Sequence, residues 1–336
     1  MKVLLDRSMK PLLLSVFVVL GATPQGADRS SIPATQPAVL WRAPSGIGME
    51  NWTCGSAGCD HAPAPPFHFE KEDMEGTFPK LSVTDAKSRT WSVKFGAKVI
   101  PECFSSRFVA ALGYVVEPSY YVPSFKLDDA STLNRARSLV KSDGTFGRAR
   151  FQLRDRNTLE FLPKHAWSLT DNPFRGTHEL AGLRVLLMML SNWDAKDSRS
   201  GQESSNTAVF RGPDGQMLYS FFDWGSSLGR WGNITRRTRG DCSGFRADTP
   251  HLISGVHGSI VLWGYSGKHE GDVRKGITID DLRWLAPHLS AITAEQIRAG
   301  LKASGATDRE NASWTESLEM RIHAVEALAR TGQYSR

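Results

Sequence analysis

The sequence predicts an α+β chain in two lobes, a small β-rich lobe with one helix followed by a larger, mainly helical lobe. Three observations carry this expectation. The alternating runs Lys80–Thr84 and Thr90–Phe95 flank the polar turn Asp85–Arg89, the pattern of a half-buried β-hairpin. Leu180, Leu183, Leu186, Leu187 and Leu190 recur at helical spacing, and Leu318, Ile322, Val325 and Leu328 do so again near the end of the chain. Between these helices, Asn206–Phe210 and Met217–Phe222 flank Arg211-Gly212-Pro213-Asp214-Gly215, a second hairpin with strong turn residues. At 336 residues, 40% hydrophobic and 23% charged, the chain is long enough to bury a full core.

Taken in order, residues 1–22 have the grammar of a bacterial export signal. Lys2, Arg7 and Lys10 precede the apolar run Leu12–Leu20, which ends in Gly21-Ala22-Thr23. The run is shorter than the roughly 20 residues that span a bilayer, so cleavage near Ala22 is expected and the mature chain has no transmembrane segment; left uncleaved, the same run is an N-terminal anchor. The destination is secreted or periplasmic. Residues 23–65, rich in Pro, Ala, Gly and Ser, read as an N-terminal arm held locally by Trp41, Trp52 and the Cys54/Cys59 region. The small lobe is placed at 66–125. It holds the first hairpin, a helix from Pro101 to about Leu112 closed by Gly113, and a short strand at Tyr120–Val122, with Pro123–Asp129 expected to cross between lobes. The large lobe is placed at 126–330. Its first helix starts near Thr177 and ends at Ser191-Asn192, the second hairpin follows, and the last third reads as helical, with capping boxes at Thr278/Asp281 and Thr293/Gln296.

Composition excludes several functions. The formal charge of +6 falls by two once Lys2, Arg7, Lys10 and Asp6 leave with the signal, so nothing marks a nucleic-acid partner. Arg236, Arg237 and Arg239 form the densest basic cluster and read as a solvated loop. Cys54 and Cys59 are close enough in sequence for a small disulfide loop in an exported protein. A zinc site there needs two more ligands, and the spacing of His61 and His68 matches no familiar module. Cys103 and Cys242 read as buried thiols or a distant pair. His178-Glu179 has Gly182 where a zinc helix needs its second histidine, and no Gly-x-Ser-x-Gly elbow occurs. Trp263, Trp284 and Trp314 are expected to fill the helical core.

One constellation carries chemistry. After the leucine-rich helix comes Asn192-Trp193-Asp194-Ala195-Lys196-Asp197; Asn206 opens a strand; and Asp223-Trp224-Gly225 follows the hairpin. Phosphoryl transfer uses such groups: a carboxylate to orient the acceptor, a lysine to offset phosphate charge, and an amide and a carboxylate to hold Mg²⁺. Upstream, Lys94 lies on the second strand of the first hairpin and Glu102 opens the next helix. Asp223 ends a strongly apolar strand, where a lone charge is costly, so a partner is expected.

Over residues 70–235 the chain resembles the protein-kinase-like superfamily, in particular its atypical branches such as the phosphatidylinositol kinases and HipA-type folds. Val93-Lys94-Phe95 looks like the nucleotide-binding lysine strand, Glu102 like its helix partner, Asp194-Ala195-Lys196 like the Asp-x-Lys of a catalytic loop, and Asp223-Trp224-Gly225 like the metal-binding Asp-x-Gly. The resemblance implies a bilobal kinase-like fold that binds ATP and Mg²⁺ and transfers a phosphoryl group to an acceptor of unknown class. Asp194 and Lys196 would be catalytic, Lys94 and Glu102 the phosphate clamp, and Asn206 and Asp223 the metal ligands. The family pattern puts the metal asparagine five residues after the catalytic aspartate, a position held here by Arg199, so Asn206 fills that role only with an insertion of seven residues. In place of a glycine-rich phosphate loop stands Glu75-Gly76-Thr77-Phe78-Pro79-Lys80, with Lys80 as a further phosphate contact. The alternative function is an inactive kinase-like binding module of the cell envelope; an unrelated envelope scaffold is the third.

Overall fold

In the computed structural model, which describes residues 37–55, 57–75, 78–154, 159–231 and 237–334, the chain enters through a short strand, β1 (Ala38–Val39), and an irregular arm. The expected export signal lies outside the described residues, as do Gly76 of the phosphate-loop candidate and Arg236 of the basic cluster.

The small lobe is built on β2 (Phe67–Asp73), β3 (Lys80–Thr84), β4 (Thr90–Phe95), helix α1 (Val99–Ala111), β5 (Ser119–Val122), β6 (Leu127–Asp128) and β7 (Ala149–Leu153). These strands form one six-stranded sheet in the order β5-β7-β4-β3-β2-β6. Period-two alternation buries Leu81, Val83, Trp91, Val93 and Phe95 on one face, where Phe67, Phe125, Phe146 and Phe151 join them. Ser82, Ser92 and Lys94 are thereby left on the other face. The hairpin is anchored at its turn by the buried Asp85 carboxylate, which accepts from the backbone amides of Lys87 and Arg89 and from Trp91 Nε1.

Two expectations are corrected here. Pro123–Asp129 does not cross between lobes: Leu127–Asp128 pairs with β2, and β7 completes the sheet, so the small lobe runs past the boundary drawn at residue 125. Phe125 and Phe146, bridged to each other, carry this excursion into the core, a non-local pairing that leaves no period in the sequence. Helix α1 begins at Val99, two residues before Pro101, which sits in the first turn, where amides lack intrahelical acceptors and its missing N–H costs nothing.

The arm packs onto both lobes. Strand β1 is hydrogen-bonded to a large-lobe strand, Trp41 Nε1 donates to the Leu112 carbonyl at 2.6 Å, and Trp52 lies edge-on to Phe104 and Phe108 of α1. A disulfide joins Cys54 and Cys59, while Cys103 and Cys242 are free thiols.

The large lobe contains β8 (Glu160–Phe161), α2 (His178–Met189), β9 (Thr207–Arg211), β10 (Met217–Phe221), α3 (Cys242–Asp248), β11 (Ile253–His257), β12 (Ile260–Trp263), α4 (Glu270–Arg274), α5 (Ile279–Ser290), α6 (Ala294–Ala303) and α7 (Asp308–Thr331). Thr177 caps α2, whose leucines are buried as the spacing predicts. Both expected capping boxes form, and a third at Thr307/Glu310 opens α7. The β11–β12 hairpin interrupts what the sequence presented as an all-helical third. Trp263 and Trp314 are buried; Trp284 is half-buried and meets Trp41 edge-on. Arg321 of α7, with no exposure, donates to the Met189 and Phe245 carbonyls and to Ser191 Oγ, tying α7 to the end of α2. No described helix is long and apolar enough to cross a membrane.

Candidate active site

The second hairpin places the site. Strands β9 and β10 pair in register, with β1 and β8 on their flanks, so Asn206 and Asp223 stand at the same end of neighbouring strands. The Phe222 amide donates to the Asn206 carbonyl at 2.9 Å, which fixes that end. At the end of α2, Asn192 joins it to the loop: its Nδ2 donates to the Asp223 carbonyl at 3.1 Å, and its Oδ1 accepts from the Asp194 amide at 3.2 Å. The buried Tyr265 hydroxyl in turn holds the Asn192 carbonyl at 2.7 Å.

From the small lobe, Lys94 reaches the same point. Its Nζ lies 3.3 Å from Glu102 Oε1 and 3.7 Å from Asp223 Oδ2. Glu102 is 1% exposed, and its charge is met a second time by Arg150 of β7, whose Nη2 is 3.0 Å away. Arg150 stands directly across the ladder from Lys94. Lys98, from the turn before α1, donates to both Asp223 oxygens at 3.1 and 3.4 Å, and the Gly225 amide donates to Oδ1 at 3.0 Å. Burial alone would raise the Asp223 pKa, but Lys94 and Lys98 hold the carboxyl well below the usual carboxylate range. The Lys94 ammonium moves down because burial disfavours its charge, against the pull of Asp223 and Glu102. The Cys103 thiol, one residue beyond Glu102, is pushed up to about 12 by burial and stays protonated.

A cavity of about 930 Å³ lies at the Ser82 and Ser92 positions of the small-lobe sheet, lined there by charged residues that include Lys80, Arg89, Glu117 and Arg154 and on the large-lobe side by Phe161, Phe210 and Phe222; of the candidate site residues only Lys80 lines it. Ser92 is two residues from Lys94 on the same strand face, and Phe222 immediately precedes Asp223. The aromatic rings of this hollow come from the large lobe, and its small-lobe side is largely charged and polar.

Two lobes around this cleft, with a strand lysine ion-paired to a helix glutamate and facing a carboxylate at a strand end, make a bilobal kinase-like fold. No family model and no curated protein matches the chain. Among solved structures it is similar to the proinflammatory kinase CtkA of Helicobacter pylori, with 13% identity and a TM-score of 0.46 over 78% of this chain and 96% of that one. It is also similar to the Golgi casein kinase with Mn/ADP bound, with 10% identity and a TM-score of 0.41 over 80% of this chain and 74% of that one.

The remaining sequence candidates are placed as follows. Lys196 Nζ is 3.6 Å from Asp194 Oδ2. The Asn206 side chain donates through Nδ2 to the Asp194 carbonyl, which leaves Oδ1 as an oxygen donor; no described residue donates to it. Lys80 lines the cavity and lies across the ladder from Lys94, but its ammonium is paired with Asp73 at 2.5 Å. Arg199, at the family's metal-asparagine position, is turned away, paired with Asp197 and Asp272. Among the described residues no three His, Cys, Asp or Glu side chains gather as a preformed metal cage. A carboxylate and an amide oxygen are ligand types that Mg²⁺ takes alongside phosphates and water, but here both Asp223 oxygens accept from Lys98. Sequence reasoning missed Lys98 and Arg150. Arg150 was detectable, since Ala149, Phe151 and Leu153 alternate around it as in a strand; Lys98 has no local signal, because its role arises only when α1 meets Asp223.

Proposed function

We propose that this chain is an exported, atypical kinase-like phosphotransferase that binds ATP with Mg²⁺ in the interlobe cleft and passes a phosphoryl group to an acceptor. The observation that carries this is the position of Lys94 Nζ between Glu102 and Asp223, at 3.3 and 3.7 Å. In this proposal the purine lies between the lobes and Lys94, oriented by Glu102, takes the phosphates. Asp223 and Asn206 hold Mg²⁺, which when bound neutralises phosphate charge. Asp194, held by Asn192 and beside Lys196, orients the acceptor hydroxyl and takes its proton. Export is supported by the charged and apolar pattern of residues 1–22.

One observation favours a second reading, nucleotide binding without transfer: both oxygens of Asp223 already carry ammonium groups. The two are separated by a thermal shift with ATP and Mg²⁺ together with release or self-transfer of labelled γ-phosphate. ATP at about one hundred times its Kd stabilises the folded chain by about 2.7 kcal/mol. Asp194→Ala is expected to keep this shift and abolish transfer. Unchanged transfer removes Asp194 from its role; a shift with no transfer by the unsubstituted protein selects the binding module; the absence of any shift refutes nucleotide binding.

A further inference from the structure

The charges around Lys94 do not balance. Glu102 and Asp223 face Lys94, Lys98 and Arg150, an excess of one positive charge in a cluster whose five side chains are at most 15% exposed. Arg150 Nε also has no hydrogen-bond partner among the described residues. Buried charges are retained where something compensates them, so a cluster in this state is completed by an anion. Lys94 is already shared between two carboxylates. Lys98 has Asp223 alone, and its Nζ bridges both oxygens of that group at 3.1 and 3.4 Å.

The position of Lys98 is built rather than incidental. A side chain at Gly225 would meet Lys98 Cδ at 2.8 Å and its Cβ and Cγ at 3.0 Å. The glycine of Asp223-Trp224-Gly225 therefore leaves the channel through which the Lys98 stem runs. The four-carbon stem starts at the first turn leading into α1, whose own burial fixes the root while leaving the ammonium rotatable. Lys98 thus shares Asp223 with Lys94, at the carboxylate where the proposed metal ion would also bind.

From this geometry we propose that Lys98 is a second phosphate-binding cation of the nucleotide site, so that the phosphate chain is held with a reduced requirement for divalent metal. The inference rests on the proposed nucleotide site and adds to it a residue and a property. Lys94 meets the phosphates from the sheet and Lys98 from the start of α1, and together they supply charge neutralisation that a metal would otherwise supply alone.

The test is calorimetric binding of ADP to the full chain, with Mg²⁺ and with EDTA, for the unsubstituted protein, Lys98→Met and Lys98→Arg. Removing a charge-assisted hydrogen bond from a buried site weakens binding by about tenfold or more. The expected result is measurable ADP binding in EDTA, a weakening of about tenfold or more on Lys98→Met that is larger in EDTA than in Mg²⁺, and recovery in Lys98→Arg. Thermal melting is read first; where Lys98→Met does not fold, Lys98→Gln, which keeps a donor toward Asp223, replaces it. Binding that appears only with Mg²⁺, or an equal weakening in both conditions, overturns the proposal and leaves the nucleotide site standing. No ADP binding in either condition refutes both.

Discussion

Asp223→Asn tests the electrostatics of the cleft without reference to any ligand. The substitution keeps the side chain's shape but removes the charge that Lys98 meets at 3.1 Å and Lys94 at 3.7 Å. Lys94 retains Glu102; Lys98 retains no carboxylate partner among the described residues. Breaking a buried pair on one side costs about 3–5 kcal/mol, and the 14% exposure of both Asp223 and Lys98 places this case at the lower end, about 3 kcal/mol. For a chain of this size that is a fall in melting temperature of about 4–5 °C. The sign of the pH dependence follows from the depressed pKa. Asp223 contributes stability that is complete above the ordinary aspartate value of about 3.9 and is lost as pH falls through its folded value. The difference between the unsubstituted protein and Asp223→Asn is therefore full at pH 6–7, and the two melting curves converge as pH falls below about 4. The measurement is scanning calorimetry in phosphate-free buffer, since a buffer anion would mask the missing charge. A melting temperature unchanged to within about 1 °C at neutral pH, or a difference that widens in acid, refutes the argument.

Two further outcomes follow from the packing of α1. Gly300→Ala pushes a methyl group to 2.9 Å from the Trp52 ring and 3.3 Å from Phe104, and overpacking of this kind is expected to destabilise by about 1–3 kcal/mol in urea unfolding; no change would show that the arm yields freely at this point. Reducing the disulfide between Cys54 and Cys59 reopens a short loop and is expected to lower stability by about 2 kcal/mol, read as a fall in melting temperature with a reductant that a Cys54→Ser, Cys59→Ser double variant no longer shows.

What was legible in the sequence is what local physics specifies. The first hairpin needs only alternation and a turn, and both lie within Lys80–Phe95. Helix α2 and two capping boxes were likewise written in short spacings. The strand lysine, helix glutamate and strand-end aspartate were found because each follows such an element at a fixed offset. Lys98 and Arg150 escaped for a different reason. Their significance comes from register and docking: Arg150 matters because β7 pairs with β4 opposite Lys94, and Lys98 because the start of α1 lies over Gly225. Strand β6 was passed over because a two-residue edge strand carries no period; β7 does alternate, with Ala149, Phe151 and Leu153 around Arg150 and Gln152, but its place beside β4 leaves no local signal. Both polar residues are almost wholly buried, so here burial is decided by partners brought from elsewhere in the chain.

The same docking explains how the helix glutamate is brought against the strand lysine. Almost every residue of α1 is buried, so the helix has no solvent face on which to slide. Arg107, 4% exposed, holds it from behind, donating through Nη1 to the Gly300 carbonyl and Ser304 Oγ at 3.1 Å and through Nε to the Cys54 carbonyl. One side chain thus joins α1, α6 and the arm, and moving Glu102 away from Lys94 would require breaking all three of these bonds in a place water does not reach. Burial works against the Arg107 charge and pushes its pKa down to about 10, so its hydrogen bonds compensate a charge that is costly to keep in the interior. An interior cation kept at that cost fits a helix held firmly by its packing, with Glu102 against Lys94.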